Sequence, residues 1–322
     1  MRANRPATQR LRIVGLGSEG SVVRLVHLER VGKEPVAAFG PGAHITTELP
    51  TDQGVLRRSY SLTGDPRATK TYSIAVARST ASDGGAAFWH RRARVGDVIE
   101  ASLPRNQFSL APKATHHIFL AGGIGITPFI PMLYQLRQQK RSAELHYMAR
   151  TKQEAAFRSL LEREFGDQTT IYFTREGASD RFDAAGLKKA PIGSHLYLCG
   201  PRGMVDAYRL KAFEVGFPDT RVHRELFQAG QAGTGKAFTA HLAKSNKTIA
   251  VGEKETLLDA IEREGVEIPS SCRIGGCGSC LVEVLEGAPD HRDDYFSKGD
   301  RSDQQILPCV SRTSGDLLVL NI

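Results

Sequence analysis

Apolar and polar positions change rhythm twice along this chain. Up to about Pro112 they alternate in short runs, as in Leu11–Val14, Val22–Leu28 and Tyr72–Ala77. Glycine and proline break the runs at Gly40-Pro41-Gly42, Gly64-Asp65-Pro66 and Asp83-Gly84-Gly85. Alternation with such punctuation predicts an antiparallel β-barrel. From Ile118 the strands become unbroken apolar runs: Ile118–Ala121, Ala143–Ala149, Thr170–Thr174 and His195–Cys199, with Arg221–Phe227 as a last one. Helices are predicted from near Thr127-Pro128, over Glu154–Phe165 and over about Met204–Val215. Strands apolar on both faces, alternating with helices, predict a parallel sheet covered on both sides. Gln228–Lys236 is small, polar and glycine-rich, and reads as a flexible linker. Beyond it, strands at Phe238–Leu242, Thr248–Val251, Leu281–Leu285 and Leu317–Leu320 surround a helix at Thr256–Glu264. Thr256 is placed to cap that helix. The expected division is a barrel over residues 1–112, an α/β domain over 113–228, a linker over 229–236 and a small α+β module over 237–322.

Composition narrows the class. A chain of 322 residues with 40% hydrophobic content has material for two or three cores. There is no apolar run of membrane-spanning length, and Met1–Arg10 lacks the apolar stretch of a secretory signal, so no membrane association is expected. Five cysteines, four of them in one pattern, do not read as a disulfide framework and point to a reducing, cytoplasmic location. The net charge of +8 is unevenly spread. Ala237 to the end holds 9 Lys and Arg against 14 Asp and Glu, net −5, which leaves +13 on the rest. That asymmetry suits docking of electron-transfer surfaces or a phosphorylated cofactor better than nucleic acid, although a plain solvated surface produces it too.

Cys272, Cys277 and Cys280 follow a C-x4-C-x2-C pattern, and Cys309 lies further on. This is the plant-type ligand spacing of a 2Fe–2S cluster. Gly275, Gly276 and Gly278 let the loop wrap an inorganic core closely. A structural zinc site is the competing reading, but it usually shows two short C-x2-C knuckles.

Other motifs speak to where the electrons come from. Arg58-Ser59-Tyr60-Ser61 offers a cation, an aromatic face and hydroxyls on one extended strand, which are the groups a flavin needs. Taken alone, so short a motif is more often an ordinary strand. Asp83-Gly84-Gly85-Ala86-Ala87-Phe88 is either a phosphate-binding turn or a hairpin turn. Leu120 to Pro128 reads as a buried strand, a glycine turn (Gly122, Gly123, Gly125) and a helix start at Thr127-Pro128, suited to a pyrophosphate. It does not match G-x-G-x-x-G. Cys199-Gly200-Pro201 ends a sheet strand where ligands bind in open α/β folds. Cys199 there either faces a nicotinamide or is a small buried hydrophobe. Phe227, just after Glu225, either covers a flavin face or belongs to the core. Arg150-Thr151-Lys152 follows the second strand, with no acidic residue where a ribose hydroxyl is usually gripped. Arg150 and Lys152 either hold a phosphate or are simply exposed.

The order of these motifs over essentially the whole chain resembles the phthalate dioxygenase reductase type, which includes vanillate O-demethylase reductases. Asp290-His291-Arg292-Asp293, otherwise a solvated turn, also resembles that family. The resemblance implies a flavin barrel, a nucleotide domain and a C-terminal plant-type ferredoxin. It implies FMN held by Arg58, Ser59, Tyr60 and Ser61, with Ala75, Val76 and Ala77 from the next strand. The turn Gly84, Gly85, Ala86 and Ala87 would take the phosphate, and Thr127 and Phe227 would complete the pocket. Ser61, Cys199 and Glu225 would serve the hydride step. NAD(P)H would lie along Gly122, Gly123, Gly125, Arg150, Thr151, Cys199, Gly200 and Pro201, with NADH preferred and NADPH open. Two positions depart from the family: Ala86 stands where serine is frequent, and Thr151 where some NADH-specific members have an acidic residue. The implied partner is a terminal Rieske-type aromatic oxygenase or O-demethylase, and the free chain is expected to be a monomer. A diiron monooxygenase or a cytochrome P450 is an alternative acceptor. A zinc-containing binding module is the non-enzymatic alternative.

Overall fold

The computed structural model describes residues 7–32, 34–51, 54–68, 70–79, 84–177, 181–227, 235–296 and 302–322. Asp83 and most of the expected linker lie outside these residues. The chain forms two compact units, Ala7–Leu226 and Phe227–Ile322.

The first unit begins with β1 (Thr8–Glu19), β2 (Val23–Arg30), β3 (Ala43–Thr51), β4 (Gly54–Thr63) and β5 (Thr71–Ala77). A short helix α1 (Gly85–Ala87) runs on as a π turn to Arg92, and β6 (Val98–Ser102) and β7 (Arg105–Asn106) follow. The sheet order is β4-β5-β2-β1-β6-β3-β7, and a β4–β3 pairing closes six strands into an antiparallel barrel. The alternation is the cause: Leu11 and Ile13 point inward with Val26, Leu28, Ile45, Leu62 and Ile74, while Arg10 and Arg12 stay outside.

The same unit continues with β8 (His116–Gly122), α2 (Phe129–Gln138), β9 (Ser142–Ala149), α3 (Arg158–Phe165), β10 (Thr169–Phe173), β11 (Ser194–Cys199), α4 (Arg202–Glu214) and β12 (Val222–Glu225). The strands are parallel in the order β10-β9-β8-β11-β12. The order reverses between β8 and β11, which is where ligands bind in such sheets. α2 starts near Thr127-Pro128 as the sequence reads, after a 3-10 turn at Gly123–Ile126, and the Thr127 hydroxyl donates to the Ile124 carbonyl (3.0 Å). The next helix start differs from the sequence reading. The segment Glu154–Phe157 is a turn rather than helix, because Phe157 is left-handed (φ 61°) and its N–H is taken by the Glu19 carboxylate at 3.0 Å.

The second unit holds β13 (Phe238–Leu242), β14 (Lys247–Val251), α5 (Leu257–Arg263), β15 (Val282–Glu286), β16 (Pro289–Asp290), β17 (Gln305–Ile306), β18 (Arg312–Thr313) and β19 (Leu317–Leu320). Its main sheet runs β14-β13-β19-β15-β17, and β16 pairs with β18. Leu257, Ala260 and Ile261 of α5 fill the core under it. Thr256 caps α5 by accepting the Asp259 N–H (3.0 Å), as its sequence position predicts. No helix among the described residues is long and apolar enough to cross a membrane.

Candidate redox sites

The loop after α5 gathers the four cysteines. Cys272 lies beside Cys277, and Cys280 beside Cys309. Backbone N–H groups of Ile274 and Ser279 point at the sulfurs of Cys272 and Cys277, each at 3.5 Å. The hydrogen bond from Cys272 and the N–H groups around it lower the Cys277 thiol, so a thiolate is favoured there. Thiolates with N–H donors are what an iron–sulfur cluster requires, so the residues present fit one. The glycines are needed for close packing as well. A methyl on Gly275 (φ 76°) would fall 2.6 Å from Val310, and one on Gly278 (φ 71°) 2.5 Å from the Tyr295 ring.

Two supports of this loop escaped the sequence reading. Arg273, itself left-handed (φ 57°), is tied to Asp259 (2.6 Å) and Glu262 (2.9 Å) of α5. The Asp290–Asp293 segment is a brace rather than a solvated turn. Asp293 is buried against Gly275, the Asp294 N–H donates to the Gly275 carbonyl (3.0 Å), and Arg292 pairs with Asp290 (2.6 Å). Arg273, which follows its partners Asp259 and Glu262 by 14 and 11 residues, carried no signal beyond its charge; the D-x-R-D pattern did carry one.

In the barrel, Arg58, Ser59, Tyr60 and Ser61 lie on β4 opposite Thr47, Thr46, Ile45 and His44. The Ser59 and Thr46 hydroxyls are 2.9 Å apart. Tyr60 meets Trp89 edge-on (5.9 Å), and burial pushes its hydroxyl up to about 12. The turn at Gly84 opens α1 rather than a hairpin, so the N–H groups of Gly85, Ala86 and Ala87 form a helical first turn able to face an anion. Gly85 lies directly on the β4 motif: a methyl there would be 2.4 Å from the Tyr60 hydroxyl and 3.0 Å from Arg58 Cγ. Ala75 and Val76 are buried on β5, Ala77 is half-buried, and β5 packs against the Gly123–Ile126 turn. The flavin-type and nucleotide-type motifs therefore adjoin.

The glycines at the switch point divide their roles. Methyl groups on Gly122 and Gly125 would strike Met204 (2.6 Å) and the Cys199 carbonyl (2.3 Å), and one on Gly200 would strike Met204 (2.7 Å). These glycines lock the ends of β8 and β11 together, with Pro201 also against Gly122. Gly123 (φ 53°) alone of the three in the turn faces open space. Cys199 has no exposed surface, so its thiol is packed beneath the site rather than presented to it. It is the register neighbour of Glu225, whose Oε2 is buried without a hydrogen-bond partner among the described residues. Burial pushes the Glu225 carboxyl up to about 8. Thr127 is buried, with its hydroxyl engaged as above. Phe227 begins the second compact unit. Arg150 is exposed and ion-paired to Glu154 (3.8 Å), beside Thr151. An acidic residue does stand at this loop: Glu176, from the end of β10, accepts the Lys152 N–H at 2.9 Å.

A β-barrel carrying the R-S-Y-S strand, a parallel sheet with a glycine switch point and a four-cysteine loop together define a flavin- and iron–sulfur-containing oxidoreductase. The family description "2Fe-2S iron-sulfur cluster binding domain" matches residues 240–314, which overturns the zinc alternative. "Dimethylamine monooxygenase subunit DmmA-like, N-terminal domain" matches residues 97–222. The chain is 39% identical over 319 residues to the phenoxybenzoate dioxygenase subunit beta of Ectopseudomonas oleovorans, covering 98% of each. It is 35% identical over 314 residues to the vanillate O-demethylase oxidoreductase of Pseudomonas sp. strain HR199, covering 94% of this chain and 98% of the other. The solved structure of phthalate dioxygenase reductase superposes with a TM-score of 0.83 at 32% identity, covering 98% of both chains. The chain belongs to the phthalate dioxygenase reductase and vanillate O-demethylase reductase family, and it is an oxidoreductase of the FMN, NAD and 2Fe–2S type.

Proposed function

We propose that this chain is the reductase component of a two-component oxygenase, carrying electrons from NADH to a terminal Rieske-type aromatic oxygenase or O-demethylase. The observation that carries the reading is the adjacency of the β4 motif, the Gly84–Ala87 turn and the Gly123 turn in one unit of a chain that also gathers four cysteines. When bound, FMN accepts a hydride from the nicotinamide and the cluster passes electrons on singly.

The residues divide the work. Arg58, Ser59, Tyr60 and Ser61 hold the flavin with Ala75, Val76 and Ala77. Ser61 would help polarise its reactive nitrogen, and the N–H groups of Gly84 to Ala87, with Arg58, would take its phosphate. With Ala86 in place of serine, that phosphate rests on N–H groups and arginine. Thr127 completes the pocket within the first unit. Gly122, Gly123, Gly125, Gly200 and Pro201 shape the nucleotide groove, with Arg150 and Thr151 at its adenosine end. Cys199 and Glu225 close the nicotinamide end from beneath. Cys272, Cys277, Cys280 and Cys309 ligate the cluster. The domains follow as 1–112, 113–228 and 237–322 joined by 229–236, in a monomeric cytoplasmic protein.

The test is acceptor choice. The holoprotein with NADH, under anaerobic conditions, should reduce the Rieske centre of an aromatic oxygenase, seen as loss of its visible absorbance, and support product formation in air. Faster reduction of a diiron monooxygenase or a cytochrome P450 than of any Rieske oxygenase would reject the partner assignment.

A further inference from the structure

We propose that Glu176 selects NADH against NADPH, an assignment that rests on the NAD(P)H reading above. In sheets with this strand order, the carboxyl end of the second strand is where the adenosine ribose is distinguished: an acidic residue grips its 2′-hydroxyl, or an arginine receives a 2′-phosphate. Here that place is the turn from Arg150 to Phe157, after β9. Read along the sequence, it contains two cations and no carboxylate before Glu154. The fold changes this. β10 pairs with β9 in parallel, so the end of β10 arrives beside the turn, and the Arg175 N–H donates to the Arg150 carbonyl (2.9 Å). One residue on, the Glu176 carboxylate accepts the Lys152 N–H at 2.9 Å.

Three features make the carboxylate decisive. First, it occupies a backbone N–H that a 2′-phosphate would otherwise use. Second, a phosphate monoester carries about −1.5 to −2 charges at neutral pH, so an adjacent fixed carboxylate repels it but not a neutral hydroxyl. Third, the two cations of the turn are engaged: Arg150 pairs with Glu154 (3.8 Å), and the Lys152 ammonium sits over the Phe173 ring (5.8 Å).

The turn is also held in place. From the barrel, the Ser21 N–H donates to the Gln153 carbonyl (2.7 Å), and Glu19 accepts the Phe157 N–H (3.0 Å). A methyl on Gly20 would lie 2.6 Å from that Gln153 carbonyl. From within, Thr151 Oγ1 accepts the Glu154 N–H (3.2 Å). A turn pinned on both sides holds the Lys152 N–H in place, and with it the Glu176 carboxylate that this N–H binds.

The experiment is steady-state flavin reduction by NADH and by NADPH, using the FMN- and cluster-loaded full chain. The wild type should favour NADH at least tenfold in kcat/KM. Glu176→Gln should narrow that ratio at least tenfold, mainly by raising kcat/KM for NADPH, whereas Glu176→Asp, which keeps the charge, should retain most of the preference. Damage to the fold would lower both nucleotides together and leave the ratio alone. A wild type that prefers NADPH overturns the assignment of Glu176, and so does an unchanged ratio in Glu176→Gln. If neither nucleotide reduces the flavin, the reading of this chain as an NAD(P)H oxidoreductase falls with it.

Discussion

Cys199 and Glu225 are register partners on the parallel strands β11 and β12; Cys199 is fully buried, and Glu225 is half-buried with its Oε2 enclosed. Burial raises the Cys199 thiol, and the neighbouring Glu225 raises it further. Burial likewise pushes Glu225 up to about 8, so at neutral pH this pair is a neutral thiol beside a neutral carboxylic acid.

That state has a pH signature. The unfolded chain releases the Glu225 proton near 4.5, whereas the folded chain keeps it to about 8. Between those values the folded state binds more protons, so this group's contribution to stability is full below pH 4.5 and is lost as pH rises through 8. The loss is on the order of 5 kcal/mol across that window, at about 1.4 kcal/mol per pH unit. Glu225→Gln removes the titration, so the melting temperature of the Ala7–Leu226 unit should decline less from pH 5 to pH 8 than in the wild type. Parallel declines in the two proteins would show that the carboxyl is already ionised in the fold.

Gly85→Ala tests the flavin site without touching the barrel core. The added methyl would press on the Tyr60 hydroxyl at 2.4 Å and on Arg58 at 3.0 Å, displacing the residues assigned to FMN. FMN affinity should weaken at least tenfold, or about 1.4 kcal/mol, with far-UV circular dichroism unchanged. Gly166→Ala, where a methyl meets nothing within 4 Å, is the matched control and should keep its flavin. Full flavin content in Gly85→Ala would move the phosphate site elsewhere.

The redox steps should separate by unit. Cys277 belongs to Phe227–Ile322, and the flavin and nucleotide residues other than Phe227 belong to Ala7–Leu226. Cys277→Ser should therefore lose cluster iron and electron delivery to a protein acceptor, while stopped-flow reduction of its FMN by NADH proceeds near the wild-type rate. A variant that folds but no longer reduces its flavin contradicts that division.

Much of this was legible in the sequence, for a physical reason: local patterns record local constraints. Alternation at Leu11 and Ile13 marks a strand with one buried face, and cysteine spacing records the reach of one loop around a cluster. What was not legible depends on residues distant in sequence. The helix expected from Glu154 begins only at Arg158, because Glu19, 138 residues before Phe157, takes the Phe157 N–H. The missing acidic residue at the nucleotide turn comes from the end of the next strand, as Glu176. Cys199 stands at a ligand-binding strand end, yet packing leaves its thiol no surface. Asp293 looks solvated in sequence, but Gly275 leaves a space that it fills.

Arg312 carries a last prediction. It is 1% exposed, yet its guanidinium meets carbonyls: Glu255 (2.6 Å), Gly252 (3.0 Å) and Lys236 (3.0 Å). The Phe238 ring lies 5.0 Å from its centre. One side chain thus joins the entry to β13, the turn before α5 and the strand that follows Cys309 by three residues. Arg312→Met removes the donors and leaves those carbonyls to find water or go unpaired, which should cost the Phe227–Ile322 unit about 3 kcal/mol. Arg312→Lys keeps the charge but has a single nitrogen where the planar fork reaches three acceptors, so it should recover only part of that loss. Because Cys309 is held in the same stretch, the weakened unit should also release iron at a lower temperature, followed as decay of the cluster's visible absorbance on slow heating. Flavin retention, which depends on the other unit, should not change. Wild-type iron release in Arg312→Met would mean that the cluster loop is braced by Arg273 and Asp293 alone.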